Sequence, residues 1–384
     1  MIVAGVLSGT SLDGIDVAIV DVRPRGDGYQ IETLAFETVP FAPDLRARLL
    51  AAFPPAPLDA LVLSALHADV GEAFGAAVAR VAAGRRLDLV GSHGITLAHD
   101  GAHARTLQIG DAFRIREAAR CSIAYDFRSA DTAAGGQGAP LVPYVDAMIL
   151  GDVEEDRVAL NLGGIANLTI LRAGNHANQT VAFDSGPANV LIDAYIRLRS
   201  GGSQNFDLNG TLALSGRVDE NLLERLLGNP YFDLSPPKST GRELFGETMI
   251  QHYRPTLDQL SFCDAVATLT ALTVKTVSAA IRSHSPIGSI IIVSGGGYHN
   301  VALLEGLKMA LLQFTVRSSS FYGIDPNAKE AIAFAILGIE LVRGRPAGMP
   351  SVTGAIGSRL LGALAPANNL VRLTVKCDAE FPKI

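Results

Sequence analysis

One carboxylate in this chain, Asp184, is placed where it could act as a base. It follows the apolar residues 181–183 and precedes a Ser-Gly-Pro turn, so the sequence predicts a strand that ends at Asp184 and a helix over 188–198. Ligands of α/β proteins bind beyond the carboxyl ends of strands, where apolar neighbours can tune the pKa of a carboxyl group. We favour a base, and the alternative is that Asp184 or Ser185 caps the helix that follows.

Three turns rich in glycine and small polar residues could bind an anion. They are GTSLDGID at residues 9–16, a second hairpin tip around Asn161, Gly163 and Gly164, and SGGGYHN at residues 294–300. Such turns let backbone N–H groups approach a phosphate closely, and a helix N-terminus favours negative charge. This combination suits phosphoryl transfer, which depends mainly on positioning and charge stabilisation. Each turn also has a structural alternative, since Asp-Gly is a common hairpin turn and a triple glycine can be a plain turn.

Four other polar residues have both a functional and a structural interpretation. His93 and His99 are either substrate contacts or ordinary buried or surface histidines, and no metal-ligand spacing surrounds them, so no protein metal site is predicted. Lys238 could reach a phosphate, or it could belong with Arg242 to a surface or interdomain loop. Glu330 begins an apolar helix, where an acidic residue pairs with the helix dipole without any further role.

Composition excludes several classes of protein. The 384 residues carry 32 basic and 38 acidic side chains, and the net charge of -6 argues against nucleic acid as a partner. Cys121, Cys263 and Cys377 are far apart, which predicts a reducing compartment without disulfides. No signal peptide is recognisable, and the longest apolar helical candidate, residues 331–339, is too short to span a bilayer. We therefore expect a soluble cytoplasmic protein that does not bind membranes.

The chain falls into two halves of similar design. Each half begins with a hairpin, at residues 5–21 and 158–171, and continues as alternating strands and helices. The acidic segment GDVEEDR predicts a boundary that gives domains 1–150 and 151–384. Alternating elements predict a parallel core with flanking helices, so we expect a duplicated α/β architecture whose turns converge on an interdomain cleft.

Nine motifs in a fixed order carry a family resemblance. They are SGTSLDGID (8–16), GSHG (91–94), TLQIGD (106–111), DFR with AAGGQGAPLVP (126–143), NLGGIANLT (161–169), FDSGPANVLID (183–193), PPKSTGRE (236–243), SGGGYHN (294–300) and KEAIAFA (329–335). The chain resembles 1,6-anhydro-N-acetylmuramic acid kinases, sugar kinases of the actin/hexokinase-like ATPase superfamily. The resemblance implies duplicated ribonuclease H-like domains around the cleft.

The resemblance also implies an activity with its cofactors and site residues. The reaction would consume ATP with Mg²⁺, open the anhydro ring of anhydro-N-acetylmuramic acid and give N-acetylmuramic acid 6-phosphate. Asp184 would be the catalytic base. The residues implied to bind ATP are Gly9, Thr10, Ser11, Leu12, Asp13, Gly14, Ile15, Asp16, Asn161, Gly163, Gly164, Gly295, Gly296 and Gly297. The residues implied to bind the sugar are Thr96, Arg128, Asn300 and Glu330.

Three positions depart from the family's usual residues. Ile95 stands where Gln is usual, and Ser185 and Ala188 replace Thr and Gly. Two alternative functions stay open, namely a kinase for another amino sugar and a non-catalytic sugar or nucleotide sensor on the same fold. The partner expected is the small-molecule sugar, and a homodimer is a possible assembly.

Overall fold

The computed structural model describes residues 1–54, 57–174 and 180–367. The strands in this part of the chain are β1 (Ile2–Ser8), β2 (Ile15–Arg25), β3 (Gly28–Val39), β4 (Leu89–Asp100), β5 (Arg105–Ile109), β6 (Ser122–Tyr125), β7 (Arg157–Leu162), β8 (Ile165–Leu171), β9 (Val181–Pro187), β10 (Ile290–Ser294), β11 (Thr315–Ser318) and β12 (Ala363–Ala365). The helices are α1 (Pro43–Ala52), α2 (Ala60–Ala82), α3 (Ala112–Ala119), α4 (Ser129–Ala133), α5 (Val142–Leu150), α6 (Val190–Arg199), α7 (Thr211–Ser215), α8 (Glu220–Leu227), α9 (Glu247–Leu257), α10 (Phe262–His284), α11 (Val301–Ala310), α12 (Lys329–Val342) and α13 (Pro350–Thr353).

The described chain forms two compact units. Unit one holds Met1–Ile149 and the segment that starts at Gly323, and unit two is Leu150–Tyr322. The domain boundary predicted from the sequence, after residue 150, lies next to Ile149. The prediction assigned all later residues to the second domain, whereas the segment from Gly323 belongs to unit one. The difference arises because α12 packs on β1 and β4 of unit one. A Cβ atom at Gly91 in β4 would overlap the carbonyl oxygen of Phe334, so the helix can approach the sheet this closely only at glycine.

Unit one contains a sheet in the order β12-β6-β4-β1-β2-β3, with β5 paired to β4. β1, β2 and β3 pair antiparallel in succession, whereas β4 is parallel to both β1 and β6. Unit two contains a sheet in the order β11-β10-β7-β8-β9. There β7, β8 and β9 pair antiparallel in succession, and β10 is parallel to both β7 and β11. The same five-strand arrangement therefore occurs once in each unit, which confirms the predicted duplicated ribonuclease H-like α/β fold.

Two helices are longer than any that the sequence analysis predicted as apolar. By length and composition alone, α2 and α10 could each cross a membrane, and 39% and 67% of their apolar windows are buried inside the protein. Leu66, Val70 and Phe74 of α2 follow a helical spacing and pack into the core of unit one. The expectation that residues 331–339 form the longest apolar helix is therefore wrong. Cys121 and Cys263 are free thiols, and Cys377 lies outside the described residues.

Buried polar contacts fix α12 within unit one. Lys329 Nζ lies 3.0 Å from Asp146 Oδ1 of α5, and both side chains are at least 97% buried. Further along α12, on nearly the same side of the helix, the hydroxyls of Tyr29 and Tyr144 both donate to the Glu340 carboxylate, the second at 2.5 Å. Burying ionised groups is costly unless they are paired and hydrogen-bonded. These contacts therefore fix the first turn of α12, which contains both Lys329 and the candidate sugar residue Glu330.

Candidate functional site

Asp184 lies inside β9, three residues before the strand ends at Pro187. The sequence placed the end of the strand at Asp184, but pairing with β8 continues through a bulge at Ser185. Because β9 runs in the same direction as β7 and β10, its carboxyl end lies at the same sheet edge as theirs. Bulges re-aim side chains at such edges, and here the bulge directly follows the candidate base.

The surroundings of Asp184 hold its backbone and one carboxylate oxygen. Its N–H donates to Lys238 O at 3.1 Å, and its carbonyl accepts from the Tyr231 hydroxyl at 2.8 Å. Oδ2 accepts the Thr240 N–H at 2.9 Å. Burial raises the pKa of Asp184 to about 6, the Thr240 hydrogen bond opposes this rise, and Glu243 adds to it. At neutral pH the group is thus largely ionised yet more basic than an ordinary aspartate.

The alternative role of Asp184 as a helix cap is not observed. Helix α6 begins after Asn189, which stands at the N-cap position, and no side chain caps this helix end. The Ser185 hydroxyl donates instead to Ala166 O in β8. Asn189 has a different task, since its Nδ2 donates to Gly163 O at 2.7 Å and to Leu162 O at 3.2 Å. Asn189 belongs to the FDSGPANVLID motif, but the sequence alone predicted no role for it.

Two of the predicted turns meet in unit two. Ser294 at the end of β10 pairs with Asn161 near the end of β7, which brings the Gly295–Gly297 turn beside the β7–β8 tip. Gly295 has a φ of +85°, and a Cβ atom there would lie 2.6 Å from Asn161 Oδ1. In the described chain, the N–H groups of Gly163, Gly164 and Gly296 donate to no backbone carbonyl. Free N–H groups in adjoining turns form a surface suited to an anion.

Two predicted residues of unit two have structural partners. Asn300 is buried, and its Oδ1 accepts the Leu303 N–H at 3.1 Å as the N-cap of α11. This contact uses only Oδ1, and sugar binding by Asn300 stays a prediction. Lys238 donates through Nζ to Tyr231 O at 3.2 Å and lies over the Tyr231 ring. Lys238 therefore holds the segment whose Thr240 N–H donates to Asp184.

The β1–β2 turn of unit one divides its residues between core and surface. Gly9, Thr10 and Asp13 are exposed, whereas the side chains of Leu12 and Ile15 are buried in the core. Leu12 takes a positive φ of 53°, its N–H donates to Gly9 O at 3.0 Å, and its carbonyl accepts from Arg46. Leu12 and Ile15 can therefore contact a ligand only through their backbones. The N–H groups of Thr10, Ser11 and Asp13 donate to no backbone carbonyl in the described chain.

Three carboxylates of unit one interact electrostatically. Asp16 accepts from the Thr38 hydroxyl at 2.6 Å, and its pKa is raised by burial, against that hydrogen bond and with a contribution from Asp13. Glu330 is open to solvent on one side, and its pKa is raised by desolvation and then by Asp16, while Lys329 and Arg128 lower it. In the part of the chain that the structure describes, no group of three or more His, Cys, Asp or Glu side chains could hold a metal ion by itself.

Arg128 and Thr96 are the remaining sugar candidates, and both belong to unit one. Arg128 Nε donates to His93 Nε2 at 2.9 Å, and Nη1 donates to Gly138 O at 2.7 Å. Burial lowers the pKa of Arg128 to about 10, although Glu330 and Asp131 oppose this. Thr96 is half-buried in β4 and accepts from Gln108 Nε2 at 3.2 Å. Ile95, the departure from the family, is fully buried in the core of unit one.

The fold and these sites define a two-unit α/β protein with turns suited to an anion and a carboxylate of raised pKa. The family profile described as "Anhydro-N-acetylmuramic acid kinase" matches residues 1–367, and the chain belongs to this family. Proteins of that name from Gloeobacter violaceus and Rhodococcus erythropolis are 42% and 40% identical to it, with 94% and 97% of this chain and 98% and 96% of theirs covered. One from Xanthomonas campestris is 44% identical, with 94% and 97% covered.

Likeness to solved structures is remote. An activator of 2-hydroxyisocaproyl-CoA dehydratase from Clostridium difficile, solved with bound ADPNP, shares 12% identity at a TM-score of 0.42 and covers 88% of this chain and 95% of its own. A ROK family glucokinase from Streptomyces griseus, in complex with glucose and AMPPNP, shares 12% identity at a TM-score of 0.40, with 88% and 100% covered.

Proposed function

We propose that this protein is an ATP-dependent kinase that hydrolytically opens the 1,6-anhydro ring of anhydro-N-acetylmuramic acid and phosphorylates O6. The observation that carries the proposal is Asp184, a half-buried carboxylate whose pKa is raised to about 6, within a family motif. The product, N-acetylmuramic acid 6-phosphate, assigns the enzyme to peptidoglycan recycling. We infer a cytoplasmic location, because ATP is the phosphoryl donor.

The substrate explains why one base is needed. In the anhydro sugar O6 is bonded to C1, so no free hydroxyl can accept a phosphoryl group. Asp184 takes a proton from water as the water oxygen bonds to C1 and the C1–O6 bond breaks. O6 then bonds to the γ-phosphorus, and the bond between that phosphorus and the ADP oxygen breaks. Oδ2 is oriented by the Thr240 N–H, which leaves Oδ1 to accept the proton from water.

Each unit, taken by itself, has turns whose N–H groups suit phosphate oxygens. In unit one, the N–H groups of Thr10, Ser11 and Asp13 have no backbone partner and suit phosphate oxygens. In unit two, Gly163 and Gly164 offer the same kind of donor. The family resemblance implies that the Gly295–Gly297 turn binds the nucleoside of ATP.

Mg²⁺ fits the carboxylates of unit one. Kinases hold this ion through one or two carboxylates together with substrate phosphates and water, so a full protein cage is not required. Asp13 is exposed at the turn. Asp16 Oδ1 accepts the hydrogen bond of the Thr38 hydroxyl, and Oδ2 takes no part in that hydrogen bond. Bound there, the ion would neutralise phosphate charge.

Arg128, Thr96 and Glu330 are the sugar residues that we retain. Arg128 and Glu330 lie within family motifs and their charges interact, and Thr96 follows the GSHG motif by two residues. Asn300, whose Oδ1 caps α11, could reach the sugar only through Nδ2.

Turnover separates the proposal from its alternatives. The purified protein is incubated with ATP and Mg²⁺ and with either anhydro-N-acetylmuramic acid or N-acetylglucosamine, and ADP release is measured. We expect ADP only with the anhydro sugar. Binding of that sugar without ADP release would indicate a sensor, and equal turnover of N-acetylglucosamine would indicate a general amino-sugar kinase.

A further inference from the structure

The Arg128 guanidinium is held at two points, both within unit one. Its Nε donates to His93 Nε2 at 2.9 Å, and its Nη1 donates to Gly138 O at 2.7 Å. Nη2 makes no hydrogen bond within the described chain. A guanidinium carries five N–H donors in a planar fork. Two protein acceptors thus fix the plane of the group and leave further donors for a ligand.

The surroundings of His93 keep its imidazole a neutral hydrogen-bond acceptor. Because Nε2 accepts from Arg128, the ring proton belongs on Nδ1, which lies 3.2 Å from Gly94 O. His93 is buried, and its ring packs on Phe334 of α12 with ring centroids 4.4 Å apart. Burial and the Arg128 charge lower the pKa of His93 to about 3. The imidazole therefore stays neutral at working pH and does not repel the guanidinium.

The second contact is fixed by a buried carboxylate. Asp131 is fully buried, its Oδ2 accepts the Gly138 N–H at 2.7 Å, and its Oδ1 accepts the Thr353 hydroxyl at 2.7 Å. These bonds hold the glycine-rich residues 135–138 in place and direct Gly138 O to Arg128. Asp131 and Thr353 were not singled out from the sequence, although Asp131 lies only three residues after the DFR motif.

We propose that His93 is a positioning residue, which holds Arg128 so that its remaining donors bind the carboxylate of the sugar acid. Guanidinium forks match planar carboxylates in bidentate geometry, and orientation decides the strength of such a pair. The inference rests on the proposed function, because muramic acid differs from glucosamine by a lactyl ether that carries this carboxylate. The other anion in the reaction is the phosphate of ATP, and the test below separates the two.

The test measures binding of two sugars and one nucleotide by titration calorimetry. The sugars are anhydro-N-acetylmuramic acid and its methyl ester, which lacks only the negative charge, and the nucleotide is a non-hydrolysable ATP analogue. We expect the wild-type protein to bind the acid at least about tenfold more tightly than the ester, as for hydrogen bonds to charged groups. Equal affinities would overturn the carboxylate site. No binding of either sugar would remove the proposed function as well.

Variants of His93 isolate the positioning role. His93→Phe keeps the ring packing on Phe334 but removes the acceptor, so the acid-over-ester preference should fall to less than about threefold. His93→Gln places an oxygen near the Nε2 position and should keep most of the preference. His252→Phe, a change at an exposed histidine of unit two, is the matched control and should behave as wild type.

Each remaining outcome decides the inference. An unchanged acid-over-ester preference in His93→Phe would overturn it. It would also be overturned if this variant bound the nucleotide more weakly than wild type and the acid equally well. If His93→Phe does not fold, Arg128→Lys replaces it, because lysine keeps the charge without the planar fork. Loss of the preference in Arg128→Lys would then support the inference, and retention would overturn it. A protein that shows the preference but releases no ADP would refute the proposed function alone.

Discussion

Replacement of Asp184 by asparagine should separate activity from stability. Asn keeps the size of the side chain and can still accept the Thr240 N–H at Oδ1, but it cannot take a proton from water. Because a positioned base contributes roughly 10² to 10⁴ in rate, turnover should fall about a hundredfold or more. Nucleotide affinity should change little, since the phosphate contacts are assigned to backbone N–H groups of the turns.

The same change should make the protein more stable at neutral pH. The pKa of Asp184 rises from 3.8 in the unfolded chain to about 6 in the folded protein. Between these values the folded state keeps a proton that the unfolded state has lost, so stability falls as the pH rises from 3.8 and the full penalty is present above about 6. The shift sets an upper bound of about 3 kcal/mol, which partial solvent access reduces to about 1–2 kcal/mol.

The assay combines turnover with thermal unfolding at two pH values. Asp184→Asn should lose turnover and melt at a higher temperature than wild type at pH 7.5, and the gain should disappear near pH 4. Wild-type turnover should rise with pH through about 6, as the base becomes ionised. The control is Asp219→Asn, because Asp219 also accepts a backbone N–H, as the cap of α8. Near-normal turnover of Asp184→Asn, or a stability loss equal at both pH values, would refute the reasoning.

Two further substitutions test the scaffold by thermal unfolding. Lys329→Met leaves a buried carboxylate without its cation and should cost about 3–5 kcal/mol, whereas Lys308→Met removes an exposed ion pair and should cost less than about 1 kcal/mol. Equal losses would contradict the buried pair. Gly295→Ala forces a strained φ and a contact with Asn161, and it should cost about 2 kcal/mol or more. Gly296→Ala enters open space, so matching melting temperatures for the two alanine variants would contradict this account of the turn.

The repeated hairpins were predictable from sequence because their signals are local. Apolar runs on both sides of a glycine-bearing tip specify a hairpin, and the structure has β1–β2 and β7–β8 at those places. The return of α12 to unit one was not predictable, because it depends on which sheet covers an apolar helix. No pattern within residues 329–342 indicates that the apolar face of this helix packs on β1 and β4.

The site shows the same division between local and distant contacts. The sequence placed Asp184 next to a strand and a turn, but it could not choose between base and cap without the position of α6, which begins after Asn189. His93 was left open for a similar reason, since its partner Arg128 is 35 residues away along the chain. Asn300 was assigned to the sugar from its motif, although the residue that begins a helix after a glycine turn is a natural N-cap.

The fate of the water oxygen tests the central claim most directly. The protein is incubated with anhydro-N-acetylmuramic acid, ATP and oxygen-18 water, and the sugar phosphate is analysed by mass spectrometry with fragmentation. A sample of unlabelled product kept in the same water for the same time corrects for exchange at C1. We predict one oxygen-18 atom at C1 and none in the phosphate ester, because water attacks C1 and O6 attacks phosphorus. Oxygen-18 found only in inorganic phosphate would mean that the protein hydrolyses ATP, and it would contradict the assignment of Asp184 as the base that opens the sugar.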